Sequence, residues 1–474
     1  MPNDTDVSSA PPRRRRRLRY VALIVLIVLS SPFAAWFAWS RVEAARLDRA
    51  LDALEARHEP LDAADFDVKP ATAEQRDASH LYAQALKLVQ EGTRNRAASL
   101  RPTIETLCGL TPSSTARAGD IAALQAFEDS HKPELDMLDR ASRLDAAGWE
   151  DQDRPRRNSL EETGAANLGV VNAVRIARLG CTGSVEPAAA ALYSTLRLRR
   201  MLPASFYNYD PLPTAHGLHA LLTSTSSTVP LLREIQGEYE RAADEHAVER
   251  RMLYWRADSL TWQLPGVFSD APPGMMNRPM TPVEAIGLRL TRPLRDHAIV
   301  SELRVFDEIL EAAKQPWPAK IEAAAVLAKK YPREPSTPGR SIVVATLARA
   351  FASAGGRTVF FAAAVVNAAE SLARARASAA AVAVTRYRLA HSGALPNSLA
   401  DLVPEFLAVP LMDPFSGREM LYRRDDAGFK VYSVGHNGRD DGSQWEQSSD
   451  LQQSRRGEPL DIGISVGAPA VTRQ

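Results

Sequence analysis

Between residues 42 and 390 the apolar positions recur three and four apart, which is the spacing of one face of an α-helix. The segments that show this pattern best are residues 82–90, 121–130, 190–202 and 217–227. The segments between helices that are rich in proline, glycine, asparagine and aspartate, and predict loops, are residues 149–159, 265–282 and 332–340. No fixed repeat of about 34 to 45 residues marks a helical solenoid. We therefore predict a mainly α protein with a large helical domain over residues 41–377.

Residues 20–39, YVALIVLIVLSSPFAAWFAW, contain no charged side chain. As a helix, a segment of this length extends about 30 Å, the thickness of the hydrocarbon core of a bilayer. Tyr20 stands at one end and Trp36 and Trp39 at the other, where interfacial aromatic residues are enriched. The pattern predicts a single transmembrane helix over residues 18–40.

Arginines occupy positions 13–17 and 19, directly before the apolar run, whereas the basic residues after it alternate with acidic ones. Basic residues are enriched on the cytoplasmic side of a span. We therefore expect residues 1–17 to form a cytoplasmic tail and the bulk of the chain to lie outside the cytoplasm. The alternative is a cleaved signal peptide with Ala38-Trp39-Ser40 as its site, although its apolar region is normally shorter.

A second apolar stretch, residues 358–384, is interrupted by charged and polar side chains. Glu370, Arg374 and Arg376 divide it into pieces far shorter than eighteen residues. Its alanine-rich face favours close packing against other helices instead of a second membrane span.

Charge and motifs exclude several function classes. With 58 Lys and Arg against 57 Asp and Glu, the chain lacks the basic excess of a nucleic-acid-binding protein. Neither GxxxxGK[ST] nor GxGxxG occurs, so the sequence gives no indication of a nucleotide site. His216 and His219 lie three apart without an HExxH motif, and GISVG around Ser465 has no histidine after it, so we interpret both as coincidences.

Cys108 and Cys181 are the two cysteines, and their separation matches no metal-binding motif. In an oxidising compartment they could form a disulfide that constrains the unfolded chain by roughly 4 kcal/mol. Two buried free thiols are the alternative.

The C-terminal region has a different pattern from the helical domain. A helix is predicted to end at Gly393, followed by a short helical turn near residues 399–403. Residues 419–423 and 429–433 predict two strands of a hairpin, because RDDAG lies between them. The next segment, VGHNGRDDGS, places carboxylates close together in a short loop. The repulsion between their charges can be relieved by solvent, a basic partner or a hard cation. Its spacing is not that of an EF-hand.

The order of these elements resembles the C-terminal part of the major pseudopilin of type II secretion systems. The segments that carry the resemblance are TRYRLAHSGALPNSLADLV (385–403), DPFSG (413–417), LYR (421–423), VYSVGHNGRDDG (431–442) and LDIGI (460–464). They are similar to that family's Y…G.YP…L..L, DP(W/F)G…Y.Y, (Y/F)S.G.DG and late DI motifs. The resemblance covers about 90 of 474 residues.

The resemblance implies that residues 378–474 form a small α+β cap with a short antiparallel sheet, and that calcium binds its loop. Asp440, Asp441 and Asp461 are then the expected calcium ligands, with Asn437 in place of an aspartate of the family's turn. The chain lacks the pseudopilin leader and has some 340 residues inserted before the cap, so we do not expect a pilus subunit.

These observations predict a membrane-anchored envelope protein of the cytoplasmic (inner) membrane, with its bulk in the periplasm. Its expected partners are the lipid bilayer and other envelope proteins, without nucleic acid or nucleotide. A non-catalytic scaffold or interaction component, accessory to secretion, is the favoured function. The alternative is an envelope enzyme, hydrolase-like, with a site in the helical domain assembled from residues distant in sequence.

Overall fold

The structure, a computed structural model, describes residues 13–66, 68–89, 100, 118–149, 160–201, 218–219, 221–223, 228–263, 290–332, 342–425, 428–443 and 461–467. The described chain is mainly helical, with a small antiparallel sheet near the C-terminus. Its helices are α1 (Arg13–Ala56), α2 (Ala73–Leu88), α3 (Ala118–Asp129), α4 (Lys132–Arg143), α5 (Leu160–Cys181), α6 (Val185–Met201), α7 (Val229–Ala242), α8 (Ala247–Gln263), α9 (Arg292–Ala313), α10 (Ala319–Lys330) and α11 (Ile342–Ala390). Short 3₁₀ helices are Ala63–Phe66, Leu399–Leu402 and Gly435–Asn437. The mainly α prediction is confirmed.

Helix α1 does not end at residue 40, where the predicted span ends, but continues to Ala56. The reason is that its last four turns carry a helical apolar face, with Leu47 and Leu54 buried against other residues. The segment Leu23–Ala56 is long and apolar enough to cross a membrane, and none of its most apolar window is buried. The N-terminal apolar helix is therefore a candidate membrane span.

The second apolar stretch lies in α11. Its segment Arg357–Ala390 also meets the length and hydropathy of a span, but half of the apolar window is buried within the protein. Ala373, Ala380 and Ala383 are fully or almost fully buried, as expected of a helix that packs through small residues.

The chain divides into two compact units. The smaller unit comprises residues 1–61, 258–307 and 333–357, and the larger unit comprises residues 62–257, 308–332 and 358–474. In the smaller unit, Leu47 and Leu54 of α1 pack in a cluster with Leu260, Ile299 and Leu303.

The core of the larger unit combines helices with the C-terminal sheet. One hydrophobic cluster contains Leu192 of α6, Ile235 of α7, Val382 of α11, and Val431 and Ile464 of the sheet. The predicted boundary between residues 377 and 378 falls inside α11, and side chains on both sides of it belong to this cluster. The described residues between 378 and 467 therefore share a core with the preceding helices.

The sheet consists of β1 (Leu421–Asp425), β2 (Gly428–Ser433) and β3 (Ile462–Gly467), all antiparallel in the order β1-β2-β3. The predicted hairpin corresponds to β1 and β2, with Leu421 opposite Tyr432. β3 was not predicted as a strand, and its alternating burial places Ile462, Ile464 and Val466 on the core side.

Three sequence predictions lie wholly or mainly outside the described residues. These are the loops near residues 149–159, 265–282 and 332–340. The disulfide also falls there, because Cys108 and the side chain of Cys181 are not described.

Candidate functional site

The sheet brings the predicted calcium ligands to one edge. Ser433, the last residue of β2, lies opposite Ile462 in the antiparallel register. The loop that follows β2, residues 434–443, therefore begins beside Asp461, which directly precedes β3. We call residues 434–443 the acidic loop. Gly438 has a φ of 65°, a left-handed conformation that favours glycine and turns the loop back after the 3₁₀ helix.

Asp440 is paired with a basic side chain of the adjacent strand. The Arg423 guanidinium donates a hydrogen bond to Asp440 Oδ2 at 2.7 Å, and the Tyr432 hydroxyl donates to Oδ1 at 3.1 Å. Burial acts to raise the pKa of Asp440, but hydrogen bonds from the Gly442 N–H, Tyr432 and Arg423 lower this pKa overall. Of the three ways to relieve the loop's charge, a basic partner is the one observed at Asp440.

Asp461 is almost fully buried, with 2 % of its surface exposed. Its Oδ2 accepts a hydrogen bond from the Ser443 N–H at 2.8 Å, and its Oδ1 accepts one from the Asp441 N–H at 3.5 Å. Burial raises the pKa of Asp461, and the nearby charges of Asp441 and Asp440 act in the same direction. Asp461 thus holds the end of the acidic loop at the start of β3.

Asp441 and Asn437 contact each other. The Asn437 amide donates to Asp441 Oδ2 at 2.5 Å, and Asn437 Oδ1 accepts a hydrogen bond from the Arg439 N–H at 2.9 Å. Calcium requires six to eight oxygen ligands around one point. Within the described ranges, no three His, Cys, Asp or Glu side chains are grouped in a way that could hold a metal ion. Calcium binding would require Arg423 to release Asp440, and it stays a prediction.

The buried carboxylate of Asp413 fixes the turn that precedes the sheet. Asp413 is 1 % exposed and accepts hydrogen bonds from the Ser433 hydroxyl at 2.6 Å and the Val434 N–H at 3.2 Å. It therefore connects the DPFSG turn to the start of the acidic loop. Sequence analysis did not assign Asp413 a role, although an aspartate before Pro-Phe-Ser-Gly is typical of a turn closed by its own side chain.

A second contact missed in the sequence joins the acidic loop to α11. His436 Nε2 lies 2.5 Å from Glu370 Oε1, and Glu370 Oε2 is 3.4 Å from the Arg374 guanidinium. The Phe415 ring lies 5.0 Å from the His436 ring. A histidine beside a buried carboxylate also occurs in catalytic sites. The described contacts of the His436 ring are with Glu370 and Phe415, and neither carries a hydroxyl or thiol that the imidazole could deprotonate, so we interpret this pair as a structural link.

His219 and Ser465, which we interpreted as chance matches to catalytic motifs, are in contact, but the contact is with the main chain of Ser465. His219 Nδ1 lies 2.7 Å from the backbone carbonyl oxygen of Ser465. The His219 ring therefore lies against the main chain of β3, and this hydrogen bond does not involve the Ser465 hydroxyl. His216 lies outside the described residues.

The larger unit also has a polar cavity of about 230 Å³ between α4 and α6. Ser142 Oγ and Ser194 Oγ are 2.9 Å apart, and Ser194 donates to Asp139 at 3.2 Å. Arg175 donates to the other oxygen of Asp139 at 2.8 Å. No histidine is among the described residues that line this cavity, and the Asp139 carboxylate that accepts from Ser194 is paired with Arg175, so we assign no catalytic role to either serine.

No family model matches the chain, and no curated protein or solved structure shows significant similarity to it. The resemblance to the major pseudopilin therefore depends on the sequence motifs of the C-terminal residues alone.

Proposed function

We propose that this chain is a single-span membrane protein of the bacterial envelope that acts as a non-catalytic scaffold or interaction component. The observation that supports the proposal is the continuity of α1. Apolar side chains such as Leu29, Phe33 and Phe37 are more than 60 % exposed, whereas Leu47 and Leu54 of the same helix are buried. A bilayer would cover the first group, and the protein covers the second.

The arginines at positions 13–17 and 19 support an N-terminus in the cytoplasm. In this orientation the residues after the span, including the acidic loop, lie in the periplasm. The exposed Asn437, Arg439 and Asp440 then offer a polar contact surface for another envelope protein. The pseudopilin resemblance favours a partner that belongs to a secretion system.

The orientation can be tested by cysteine labelling of spheroplasts. The background is Cys108→Ser with Cys181→Ser, and single cysteines are introduced as Asn3→Cys and Arg439→Cys. With a membrane-impermeant maleimide on spheroplasts, we expect label at position 439 and none at position 3 until the cells are lysed. Labelling at position 3 alone, or release of a shortened chain from the membrane, would contradict a retained anchor with this orientation.

The partner can be tested by in-cell photo-crosslinking with a photoreactive residue at position 439. A matched control carries the same residue at Glu322, an exposed position on α10 of the larger unit. We expect adducts with pilus-assembly subunits at position 439 and none at position 322. Adducts with this chain alone, or equal adducts at both positions, would refute the link to secretion and leave the membrane span untouched.

A further inference from the structure

A groove in the smaller unit follows the part of α1 that lies just beyond the apolar segment. It has a volume of about 320 Å³ and lies between α1 and α9. Its apolar floor consists of Ala50, Ala53, Leu54, Val300 and Leu303. On α1 the lining positions recur three and four apart, so one face of this helix forms one wall.

The rim of the groove is strongly basic. Arg46, Arg49, Arg57 and Arg304 line it, together with a single acidic residue, Asp307. Arg46 pairs with Glu43 at 2.8 Å, and Arg57 pairs with Glu59 at 3.0 Å and with Asp307 at 3.4 Å.

The other two arginines retain their charge for a ligand. Arg49 Nε donates to the backbone carbonyl of Ala45 at 2.9 Å. In the part of the chain that the structure describes, no carboxylate forms an ion pair with Arg49 or Arg304. Both residues are exposed. Two guanidinium groups on the rim of one groove are suited to a phosphate oxyanion, which they can bind through paired hydrogen bonds.

The position of the groove along α1 places it near a membrane surface. Arg46 and Arg49 follow Trp39 by seven and ten residues, or about 10 and 15 Å along the helix axis. The headgroup layer adds roughly 5–7 Å beyond the hydrocarbon core. The backbones of both arginines therefore lie beyond that layer, but helical side chains point toward the N-terminus of their helix, so the guanidinium groups extend back toward the headgroups. The Trp36 indole N–H donates to the Leu290 carbonyl at 2.8 Å, which holds the chain two residues before α9 at the level of Trp36.

We propose that this arginine groove binds the phosphodiester headgroup of an anionic phospholipid. The inference rests on the membrane span of the proposed function and adds a specific ligand to it. Arg49 and Arg304 hold the phosphate oxygens, and the apolar floor accommodates the glycerol end of the lipid. A neutral-headed lipid with a choline group lacks the net negative charge that this rim selects.

The test uses the full-length protein in a non-ionic detergent. Phosphatidylglycerol and phosphatidylcholine are titrated separately, and native mass spectrometry counts the bound lipids. The groove variant is Arg49→Gln with Arg304→Gln. The matched control is Arg76→Gln with Arg140→Gln, which removes the same charge from exposed arginines of the larger unit that do not line the groove.

We expect the groove variant to bind phosphatidylglycerol about thirtyfold more weakly, because each arginine near an anionic headgroup contributes a factor of roughly five. The control should stay within twofold of wild type, and phosphatidylcholine binding should not change in either variant. Equal weakening in both variants, or unchanged binding in the groove variant, would overturn the proposal. Tighter binding of glycerol phosphate than of phosphatidylglycerol would also overturn it, because the ligand would then be a soluble phosphate ester.

Flotation with phosphatidylcholine liposomes separates this inference from the proposed function. A chain that does not float with the liposomes refutes the membrane span, and the groove proposal fails with it. A chain that floats but shows no selectivity for phosphatidylglycerol refutes only the lipid site.

Discussion

Asp413 Oδ1 accepts a hydrogen bond from Ser433 Oγ at 2.6 Å, which joins the turn before β1 to the last residue of β2. The same carboxylate accepts hydrogen bonds from the Phe415 N–H at 3.0 Å and the Ser416 hydroxyl at 2.8 Å. A buried carboxylate with several donors is costly to remove, because each donor is left without a partner. Asp413 is therefore central to the stability of the C-terminal sheet.

Replacing Asp413 by alanine should destabilise this region by about 3 kcal/mol, since several buried donors lose their acceptor. We expect faster hydrogen exchange in peptides that cover residues 411–420 and 428–435. The control is Glu419→Ala, an exposed carboxylate in the same turn, which should leave exchange unchanged. Equal exchange in wild type and the Asp413 variant would show that these hydrogen bonds contribute little.

Gly463 of β3 leaves no room for a side chain. An added Cβ would lie 2.4 Å from the Tyr432 Cβ and 2.4 Å from the Val431 carbonyl oxygen. Gly463→Ala should therefore separate β3 from β2 and cost about 1–3 kcal/mol. Hydrogen exchange over residues 461–467 would report the loss. Gly119→Ala is the matched control, because an added Cβ meets nothing within 4 Å there and alanine favours the helix.

The raised pKa of Asp461 predicts a pH dependence of stability. The folded protein binds an extra proton here, so this group stabilises the fold at low pH, and the contribution is lost as pH rises through the raised pKa. Asp461→Asn removes this titration and retains an oxygen acceptor for the Ser443 N–H. The melting temperature of the variant, relative to wild type, should therefore increase from pH 4 to pH 7.

Asp440→Asn provides a control of opposite sign. The pKa of Asp440 is lowered, so its ionised form stabilises the fold above the unfolded pKa and the contribution is lost as pH falls. The melting temperature of this variant, relative to wild type, should decrease from pH 4 to pH 7. If the melting-temperature difference from wild type changes with pH in the same direction for both variants, the opposite pKa shifts assigned to Asp461 and Asp440 are contradicted.

Calcium binding predicts a competition with Arg423. This residue occupies Asp440 Oδ2, so Arg423→Gln should enlarge the rise in melting temperature that calcium produces. Asp440→Asn should remove that rise, because it eliminates a charged ligand. Thermal melts with calcium and with chelator test both variants. If the melting curve with calcium coincides with the curve with chelator, both in wild type and in Arg423→Gln, the calcium site is ruled out.

The sequence predicted the helix end, the short helical turn and the first hairpin strand, because glycine, proline and alternating apolar residues determine these elements over a few neighbouring positions. Gly393 has a φ of 96°, and its N–H bonds the Arg388 carbonyl at 2.8 Å, as expected where a helix stops. The predicted turn at residues 399–403 is the 3₁₀ helix Leu399–Leu402. The first strand begins two residues later than predicted, because Glu419 forms an isolated bridge with Met412.

Contacts between distant residues gave no local signal. Glu370 and His436 are 66 positions apart, and their contact depends on how α11 packs against the acidic loop. In β3, Ile462, Ile464 and Val466 alternate with glycines and a serine, so the strand had a local period-two signal that the glycines weaken, but its pairing with β2 had none. Helix α1 extends past residue 40 because its later turns bury Leu47 and Leu54, and the end of the apolar run gave no signal of this packing.

The part of α1 from Trp36 to Ala56 is continuous and about 30 Å long, so a change in the tilt of its first residues displaces its last residues. Membrane helices tilt by about 20° on average, and such a tilt would move Ala56 sideways by about 10 Å relative to Trp36. Leu47 and Leu54 are packed in the core of the smaller unit, so they would move with it. In the proposed membrane span, the interfacial anchors and helix packing that set the tilt would therefore set the orientation of that unit as well as its location.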